Sequence, residues 1–334
     1  MSFRQIAGHR HLLELVARAS SRGTLPPSLI FAGPEGVGKR MAAVALAQLM
    51  NCLQTETFQG LDGCGTCASC KRIGRGVHAD VLMVEPGDTG TIKIDQVRDA
   101  IERSAYRPFE GRRRVVIIND AEALNIEAQN ALLKTLEEPP AASTFVLVTS
   151  RPDMLLPTVL SRCQRLRFGR LSPADVADVL IRDHDYADSA AHAAASLSDG
   201  SVGRALEGGT DEFVDARNAA TELLDAVATT ADPWRRLAGA KALAGAARGG
   251  SDRAELARRL YALSSIVRDV GILLSRADES GLANTDIRPR LERLQRSFDR
   301  DRALRAFSAI DRALAALDRN ASPKIVADWL AFQI

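Results

Sequence analysis

One segment of the chain has the residue types and the spacing of a phosphate-binding loop. The pattern G-x-x-x-x-G-K is met by Gly33, Pro34, Glu35, Gly36, Val37, Gly38 and Lys39. Glycines let the backbone wrap around a phosphate, amide groups at the start of a following helix point at it, and the lysine adds positive charge. We therefore expect this loop to bind the phosphates of ATP or ADP. The alternative is an inherited tight turn that no longer binds nucleotide.

Two positions near this loop differ from those of a site that hydrolyses ATP. In the full motif a Ser or Thr follows the lysine and binds Mg²⁺, whereas Arg40 stands here. Asp120 supplies the acid expected at the end of a neighbouring strand, but the next residue, where a second acid would orient water, is Ala121. Glu122 comes one position later, where a starting helix would point it elsewhere. We therefore expect nucleotide to be bound without hydrolysis, unless Asp120 merely caps the segment that follows.

Four of the five cysteines are clustered. Cys64, Cys67 and Cys70 form the run C-x-x-C-x-x-C, and Cys52 precedes them. Four thiolates match a closed, structural Zn²⁺ site, in which the metal would hold together a loop that lacks a core. An iron–sulfur cluster also takes four cysteines, but the usual bacterial run continues with a further cysteine and a proline, and neither follows here. We expect the fifth cysteine, Cys163, to be buried in a strand.

The elements that position these groups alternate between strands and helices in the first half of the chain. Short apolar runs predict strands at 28–32, 81–84, 115–118 and 145–149. A fifth strand is predicted at 163–168, where Leu166 and Phe168 alternate with two arginines. Apolar residues at helical spacing predict helices at 40–50 and 95–105, and a third that stops at 139–140, where two prolines stand. Five parallel strands with crossover helices make a doubly wound α/β domain.

The second half of the chain has a different pattern, with no predicted strand after Gly169. Ser172 has the features of a helix N-cap, so 171–207 is predicted to be a small helical unit. The remainder, 211–334, is predicted to form several amphipathic helices, with connections near 233, 249–250 and 283–284.

Length and composition limit the classes of protein. A chain of 334 residues can bury its own core and needs no disulfide bonds. The formal net charge of +2 excludes an acidic disordered tail, and any nucleic-acid binding must use a local basic patch. Aromatic residues make up only 4%, which argues against a surface built on stacked bases. Since neither a signal-peptide pattern nor an apolar run approaching roughly 18 residues is present, we expect a cytoplasmic protein without a membrane partner.

Three further segments resemble those of a known family. Residues 129–140 are Gln-Asn-Ala-Leu-Leu-Lys-Thr-Leu-Glu-Glu-Pro-Pro, and this run resembles the central signature of bacterial clamp-loader subunits. Residues 156–163, Leu-Pro-Thr-Val-Leu-Ser-Arg-Cys, resemble their Ser-Arg-Cys motif, and 320–330 resemble the last helix of their collar. The cysteine insertion is similar to the zinc module of the same subunits.

This resemblance implies a domain organisation and a set of partners. It implies a P-loop AAA+ parallel-sheet domain at 1–169 with a zinc module at about 52–70, an all-α lid at 170–209 and an all-α collar for oligomerisation at 210–334. The implied partners are the gamma/tau and delta subunits in a pentameric ring. Through that complex the chain would meet the sliding clamp and primed DNA, in the replisome at the nucleoid.

Within the family, three positions differ from those of the ATP-hydrolysing motor subunits. The motor subunits keep a hydroxyl residue after the lysine, an acidic pair on the neighbouring strand and an arginine in the lid segment Gly-Ser-x-Arg. Here Arg40, Ala121 and Gly203 stand at those places, with Arg204 displaced by one. Arg162 of the Ser-Arg-Cys motif remains, which implies a non-motor subunit whose arginine reaches a neighbour's ATP. The alternatives are a surface arginine at a helix end, a motor subunit, and a stand-alone AAA+ switch in DNA repair.

A local basic stretch is made by Arg112, Arg113 and Arg114 together with Arg103 and Arg107. It could contact a DNA phosphate backbone. A solvated charged loop explains it equally well.

Overall fold

A computed structural model describes residues 2–54, 61–229, 232–244, 252–319 and 321–334. They fall into two compact units, Met1–Arg170 and Leu171–Ile334. Each unit is described by itself below.

A parallel sheet with the strand order β2-β3-β4-β1-β5 forms the centre of the first unit. Its strands are β1 (Ser28–Ala32), β2 (Val81–Val84), β3 (Arg114–Ile118), β4 (Ser143–Thr149) and β5 (Gln164–Arg167). The register places Ile30 opposite Leu147 and Ile117 opposite Val146. All five strands overlap the segments predicted for them, and the α/β fold class is confirmed.

Helices cover both faces of this sheet. They are α1 (Arg10–Ser21), α2 (Lys39–Asn51), α3 (Ala68–Gly74), α4 (Ile94–Ala105), α5 (Ile126–Glu137) and α6 (Pro157–Leu160). Side chains alternate across a strand, so Leu29 and Phe31 of β1 pack in the layer that contains α1 and α2. Ile30 of the same strand packs in the opposite layer with α4 and α5. The three central strands β1, β3 and β4 are buried at every position and are mainly apolar, whereas the edge strand β5 is largely exposed.

The second unit is helical throughout its described residues, as predicted. Its helices are α7 (Pro173–His184), α8 (Asp188–Leu197), α9 (Val202–Glu207), α10 (Thr210–Thr229), α11 (Pro233–Ala244), α12 (Asp252–Ser275), α13 (Arg288–Ser297), α14 (Arg300–Asp318) and α15 (Pro323–Gln333). Ser172 is the N-cap of α7, and its Oγ accepts a hydrogen bond from the N–H of Asp175 at 3.1 Å. The predicted connection at 249–250 lies outside the described residues, as does Asn320 of the collar motif.

Two separate hydrophobic clusters build this second unit. One is formed by α7, α8 and α9 with Phe213 of α10, and the other by helices from α10 to α15. The division of this half into a lid and a collar at 209–210 stays a prediction. None of the described helices is long and apolar enough to cross a membrane.

Candidate functional site

The phosphate-loop pattern connects β1 to α2, in the position that the sequence predicted. Gly33 follows β1, and a Cβ on it would lie 2.1 Å from the carbonyl oxygen of Phe168, so a larger residue does not fit. Gly36 and Gly38 have φ of +71° and +94°, a region that favours glycine. Helix α2 begins directly afterwards at Lys39. The loop therefore brings glycines, a helix start and a lysine together, an arrangement that suits a phosphate.

Lys39 is buried in this loop and bonds to the loop itself. Its Nζ donates a hydrogen bond to the carbonyl oxygen of Pro34 at 2.5 Å. Burial lowers the pKa of Lys39, and the nearby carboxylates of Glu122, Glu35 and Asp120 oppose that effect. The ammonium has three N–H donors, so it can donate to a bound phosphate while it keeps its bond to Pro34.

Arg40, the second residue of α2, forms an ion pair with Glu85, which follows β2. Its Nη2 lies 2.9 Å from Oε1 of Glu85. A guanidinium carries only donors and a positive charge, so it cannot coordinate a cation as a Ser or Thr hydroxyl does. The chain therefore has no hydroxyl ligand for Mg²⁺ at this point.

Asp120 lies two residues after β3 in a left-handed conformation with φ of +52°. Its carboxylate accepts a hydrogen bond from Nδ2 of Asn119 at 3.0 Å. Burial raises the pKa of Asp120, and the charges of Glu122, Glu35 and Glu85 raise it further. Asp120 precedes the 3₁₀ turn Ala121–Ala123, but its side chain makes no capping bond to it. The capping alternative is therefore not supported, and the acid lies beside the phosphate loop.

Glu122 lies elsewhere than the sequence predicted. Its Oε1 accepts hydrogen bonds from the N–H of Ser150, at 3.0 Å, and from the Ser150 hydroxyl, just after β4. Burial raises the pKa of Glu122, but the bonds from Ser150 outweigh it and the net shift is downward. The expectation that Glu122 points away is wrong, because a single 3₁₀ turn brings it into the same group of charges as Lys39.

The four clustered cysteines come together as the sequence predicted. The Sγ atoms of Cys52, Cys64, Cys67 and Cys70 all lie within 4.8 Å of one another. Cys52 follows the last residue of α2, Cys67 is the N-cap of α3, and Cys70 lies in the first turn of α3. A tetrahedral ion with Zn–S distances of about 2.3 Å spaces its sulfur atoms roughly 3.8 Å apart, so the set fits such an ion after small shifts.

Hydrogen bonds to sulfur favour thiolates in this cluster. The N–H groups of Cys64 and Cys67 donate to the sulfur atoms of Cys52 and Cys64, both at 3.3 Å, and that of Cys70 donates to Cys67 at 3.4 Å. Burial raises the pKa of Cys64, but hydrogen bonds led by the N–H of Cys67 outweigh it and set the pKa at about 6. Burial raises the pKa of Cys70. A bound cation would offset that cost and join the end of α2 to α3.

Arg162 lies two residues after α6 and is held by α5. Its Nε and Nη2 both lie 3.1 Å from Oε2 of Glu137, and its Nη1 donates to the carbonyl oxygen of Thr158 at 3.1 Å. The side chains of Arg162 and Glu137 are 32% and 61% exposed, and ion pairs this open contribute about 0–1 kcal/mol. Arg162 can therefore exchange Glu137 for a stronger anion at little cost.

Cys163 lies just before β5, which begins at Gln164. It is half-buried and packs at the edge of the core cluster that contains Ile30. Burial raises the pKa of the Cys163 thiol to about 12. The prediction of a buried strand residue was therefore too strong.

The basic stretch before β3 divides into buried and exposed arginines. Arg114 is buried, and its Nη2 donates to Oδ1 of Asp80 at 2.8 Å. Arg112 and Arg113 donate side-chain hydrogen bonds to the carbonyl oxygens of Cys52 and Ala141, at 2.7 and 2.9 Å. Asp80 was not found from the sequence, because a single acid before an apolar run has no distinctive spacing.

Comparison with known proteins adds the family. A family model described as DNA polymerase III, delta subunit, matches residues 8–172, just under half of the chain. The delta' subunit of DNA polymerase III from Bacillus subtilis is 34% identical over 207 residues, which cover 62% of this chain and 61% of that protein. The tau subunit from Salmonella typhimurium is 36% identical over 162 residues, 48% of this chain and 24% of that protein. Over these residues the chain is similar to clamp-loader subunits of DNA polymerase III.

Two solved structures align with nearly the whole length of this chain. A gamma subunit-related protein from Thermotoga maritima covers 96% of the chain at 19% identity, with a TM-score of 0.38. The clamp loader delta protein of Bacillus subtilis covers 96% at 11% identity, with a TM-score of 0.37. Scores this low carry no argument about function. The chain spans less than two thirds of the length of the two curated relatives described above.

The segment that was compared with the lid of motor subunits in the sequence, residues 200–205, lies at the start of α9. Ser201 is the N-cap of α9, and its Oγ accepts a hydrogen bond from the N–H of Arg204 at 3.1 Å. Gly203 presents no side chain at the position of the motor subunits' arginine. The Arg204 side chain is exposed, with Nη1 3.8 Å from a carboxylate oxygen of Asp199.

Proposed function

We propose that this chain is the delta-prime, non-motor subunit of the bacterial DNA polymerase III clamp loader. In this proposal it assembles with gamma/tau and delta subunits in a pentameric ring and helps to load the sliding clamp onto primed DNA. Its place is the cytoplasm, in the replisome at the nucleoid. Similarity to clamp-loader subunits over about half of the chain supports the complex, and the altered nucleotide site supports the choice of subunit.

The observation that carries the choice of subunit is the ion pair between Arg40 and Glu85. It puts a guanidinium where a hydrolytic site needs a hydroxyl for Mg²⁺. Ala121 and Gly203 remove two further groups that motor subunits keep. ATP or ADP would then be bound without hydrolysis, because the glycine loop and Lys39 are intact while the metal ligand is lost.

Arg162 is proposed to act on the ATP of a neighbouring subunit. An arginine supplied in trans stabilises charge on the transferring phosphoryl group, and its owner does not need to hydrolyse anything. The partly exposed pair with Glu137 leaves the guanidinium able to change partner. Arg162 is therefore the residue of this chain proposed to take part in catalysis.

The metal of the cysteine cluster is proposed to be Zn²⁺. Four thiolates at tetrahedral spacing suit this ion, and a closed set leaves no position for a substrate. Its role is then structural, at the junction of α2 and α3.

A motor subunit is the second candidate, and one observation favours it. Oε2 of Glu122 is buried and has no hydrogen-bond partner among the described residues, although Glu122 belongs to the group of charges around Lys39. A carboxylate with a vacant oxygen could orient a water molecule.

Hydrolysis by the purified full chain separates the two candidates. If the chain is the non-motor subunit, it should bind ATP at Lys39 and should hydrolyse ATP no faster than the Lys39→Ala variant does. Turnover that disappears in Lys39→Ala and in Glu122→Gln would favour the motor subunit instead. If the chain purifies from cells without any clamp-loader subunit bound to it, both candidate functions would be contradicted.

A further inference from the structure

The loop between α4 and β3, residues 106–113, is fixed by two buried acceptors. Asp80 accepts hydrogen bonds from three consecutive N–H groups, at residues 109–111, over 2.7–2.9 Å. Oδ1 of Asn51 accepts from the next two N–H groups, at 2.8 and 2.9 Å. A Cβ on Gly111 would lie 2.5 Å from that same oxygen, so the loop backbone is closely packed. The loop therefore has one well-defined shape.

This fixed loop exposes two aromatic side chains. Phe109 is 84% exposed and Tyr106 is 63% exposed. Most large apolar side chains of the chain are buried, so this placement needs a reason. Rigid, exposed aromatic rings make good binding anchors, because little conformational entropy is lost when a partner covers them.

The loop and the end of the neighbouring helix α3 each carry an arginine that is available to a partner. Arg107 lies between them in the sequence, and Arg75 follows the last residue of α3. Neither guanidinium has an ion pair or a hydrogen bond with any described residue. The loop's own acid, Glu110, is paired with Arg72 of α3 at 2.5 Å, which also places α3 beside the loop. Two cations therefore remain available for an anionic partner.

We propose that Tyr106, Arg107, Phe109 and Arg75 form a binding surface for single-stranded DNA. Bases stack on the two rings, and the two arginines lie against phosphates. A duplex hides the faces of its bases inside the stack, whereas a single strand offers unstacked bases to the two rings and phosphates to the two arginines, so we choose a single strand as the ligand. The low aromatic content of the chain excludes an extended stacking surface, but two rings on one rigid loop suffice for a short strand.

The proposal rests on the proposed role in DNA replication, but not on Arg162 or on partner subunits. Its test uses the full chain alone and a fluorescent thymidine oligonucleotide of about 16 nucleotides, within the length that one such site covers. Phe109→Ala and Tyr106→Ala should each raise Kd by on the order of tenfold. Arg107→Gln should reduce the slope of log K against log salt by about 0.7. Phe332→Ala, at an exposed ring of the second unit, is the matched control and should leave Kd unchanged.

A stacking signal separates this surface from a merely electrostatic one. A 2-aminopurine in the strand should change fluorescence on binding, and Phe109→Trp should keep that change while Phe109→Ala loses it. Absence of binding by the unaltered chain, tighter binding of a duplex of equal length, or equal displacement by polyglutamate would each overturn the proposal. Because these measurements use the chain without partners, their failure would leave the proposed role of Arg162 standing.

Discussion

The buried pair of Asp80 and Arg114 gives a quantitative prediction about the α/β unit. Asp80 is fully buried, with its carboxylate bonded to Arg114 at 2.8 Å and to the N–H groups of residues 109–111. Asp80→Asn would leave the Arg114 guanidinium, itself only 9% exposed, without its counter-charge. Removing one partner of such a pair costs about 3–5 kcal/mol of the free energy of unfolding. The control is Asp99→Asn, whose pair with Arg103 is exposed and should contribute at most about 1 kcal/mol.

Two probes show which of the two units loses stability. Both tryptophans, Trp234 and Trp329, belong to the second unit, so their fluorescence follows that unit alone. Amide hydrogen exchange in β3 and β4 follows the α/β unit, and Asp80→Asn should speed its slowest amides by between about a hundredfold and a few thousandfold. The tryptophan transition in urea should not move. The reasoning would be refuted if Asp80→Asn speeds the exchange of these amides by less than about tenfold, or if Asp99→Asn speeds it equally.

The carboxylate of Asp80 also makes the stability of the α/β unit depend on pH. Burial alone would raise the pKa of Asp80, but the N–H groups of residues 109–111 and the Arg114 guanidinium outweigh it, so its pKa is lowered. A lowered folded-state pKa means that this stability is fully present above the unfolded value of about 4 and is lost as the pH falls through the folded value. The protection of β3 should therefore fall more steeply below about pH 4 in the unaltered chain than in Asp80→Asn. Equal slopes in both proteins would contradict this assignment.

Two further predictions concern the metal site and the second unit. Metal analysis should give about one Zn per chain, and Cys67→Ser should lower that content and the exchange protection of α3, while an iron signal or visible absorbance would reject zinc. In the second unit, Arg217→Ala should lower the free energy of unfolding, measured from the tryptophan transition, by about 3–5 kcal/mol. The reason is that the carboxylate of Asp286 loses its partner at 2.8 Å. Arg288→Ala, at an exposed pair with Glu279, is its control and should leave the tryptophan transition nearly unchanged.

The fold followed from patterns that act locally. Apolar runs located four strands, alternation of apolar and charged residues located β5, and the two prolines at 139–140 marked the end of α5 at Glu137. The glycine spacing located the phosphate loop, and the spacing of the four cysteines located the sulfur cluster, since in both cases the motif is contiguous or nearly so.

Interactions between distant residues were the part that the sequence did not reveal. Glu122 was predicted to point away, but its partner Ser150 is brought to it only when β4 lies beside β3. Arg114 belonged to a basic stretch in the sequence, yet in the structure it is buried against Asp80, 34 residues earlier. Such pairings depend on strand order and register, which no short motif encodes.

We propose that this chain does not hydrolyse ATP itself but supplies Arg162 to a neighbouring subunit that does. The most direct test is DNA-stimulated ATP hydrolysis by a reconstituted clamp loader that carries Arg162→Ala in this subunit only, with Arg165→Ala as a surface control. We expect the rate of DNA-stimulated ATP hydrolysis to fall by at least about tenfold when the complex carries Arg162→Ala. An arginine finger can accelerate hydrolysis at a single site by about 10³–10⁵-fold. The control should hydrolyse ATP at the unaltered rate. Hydrolysis and clamp loading at the unaltered level with Arg162→Ala would contradict the claim.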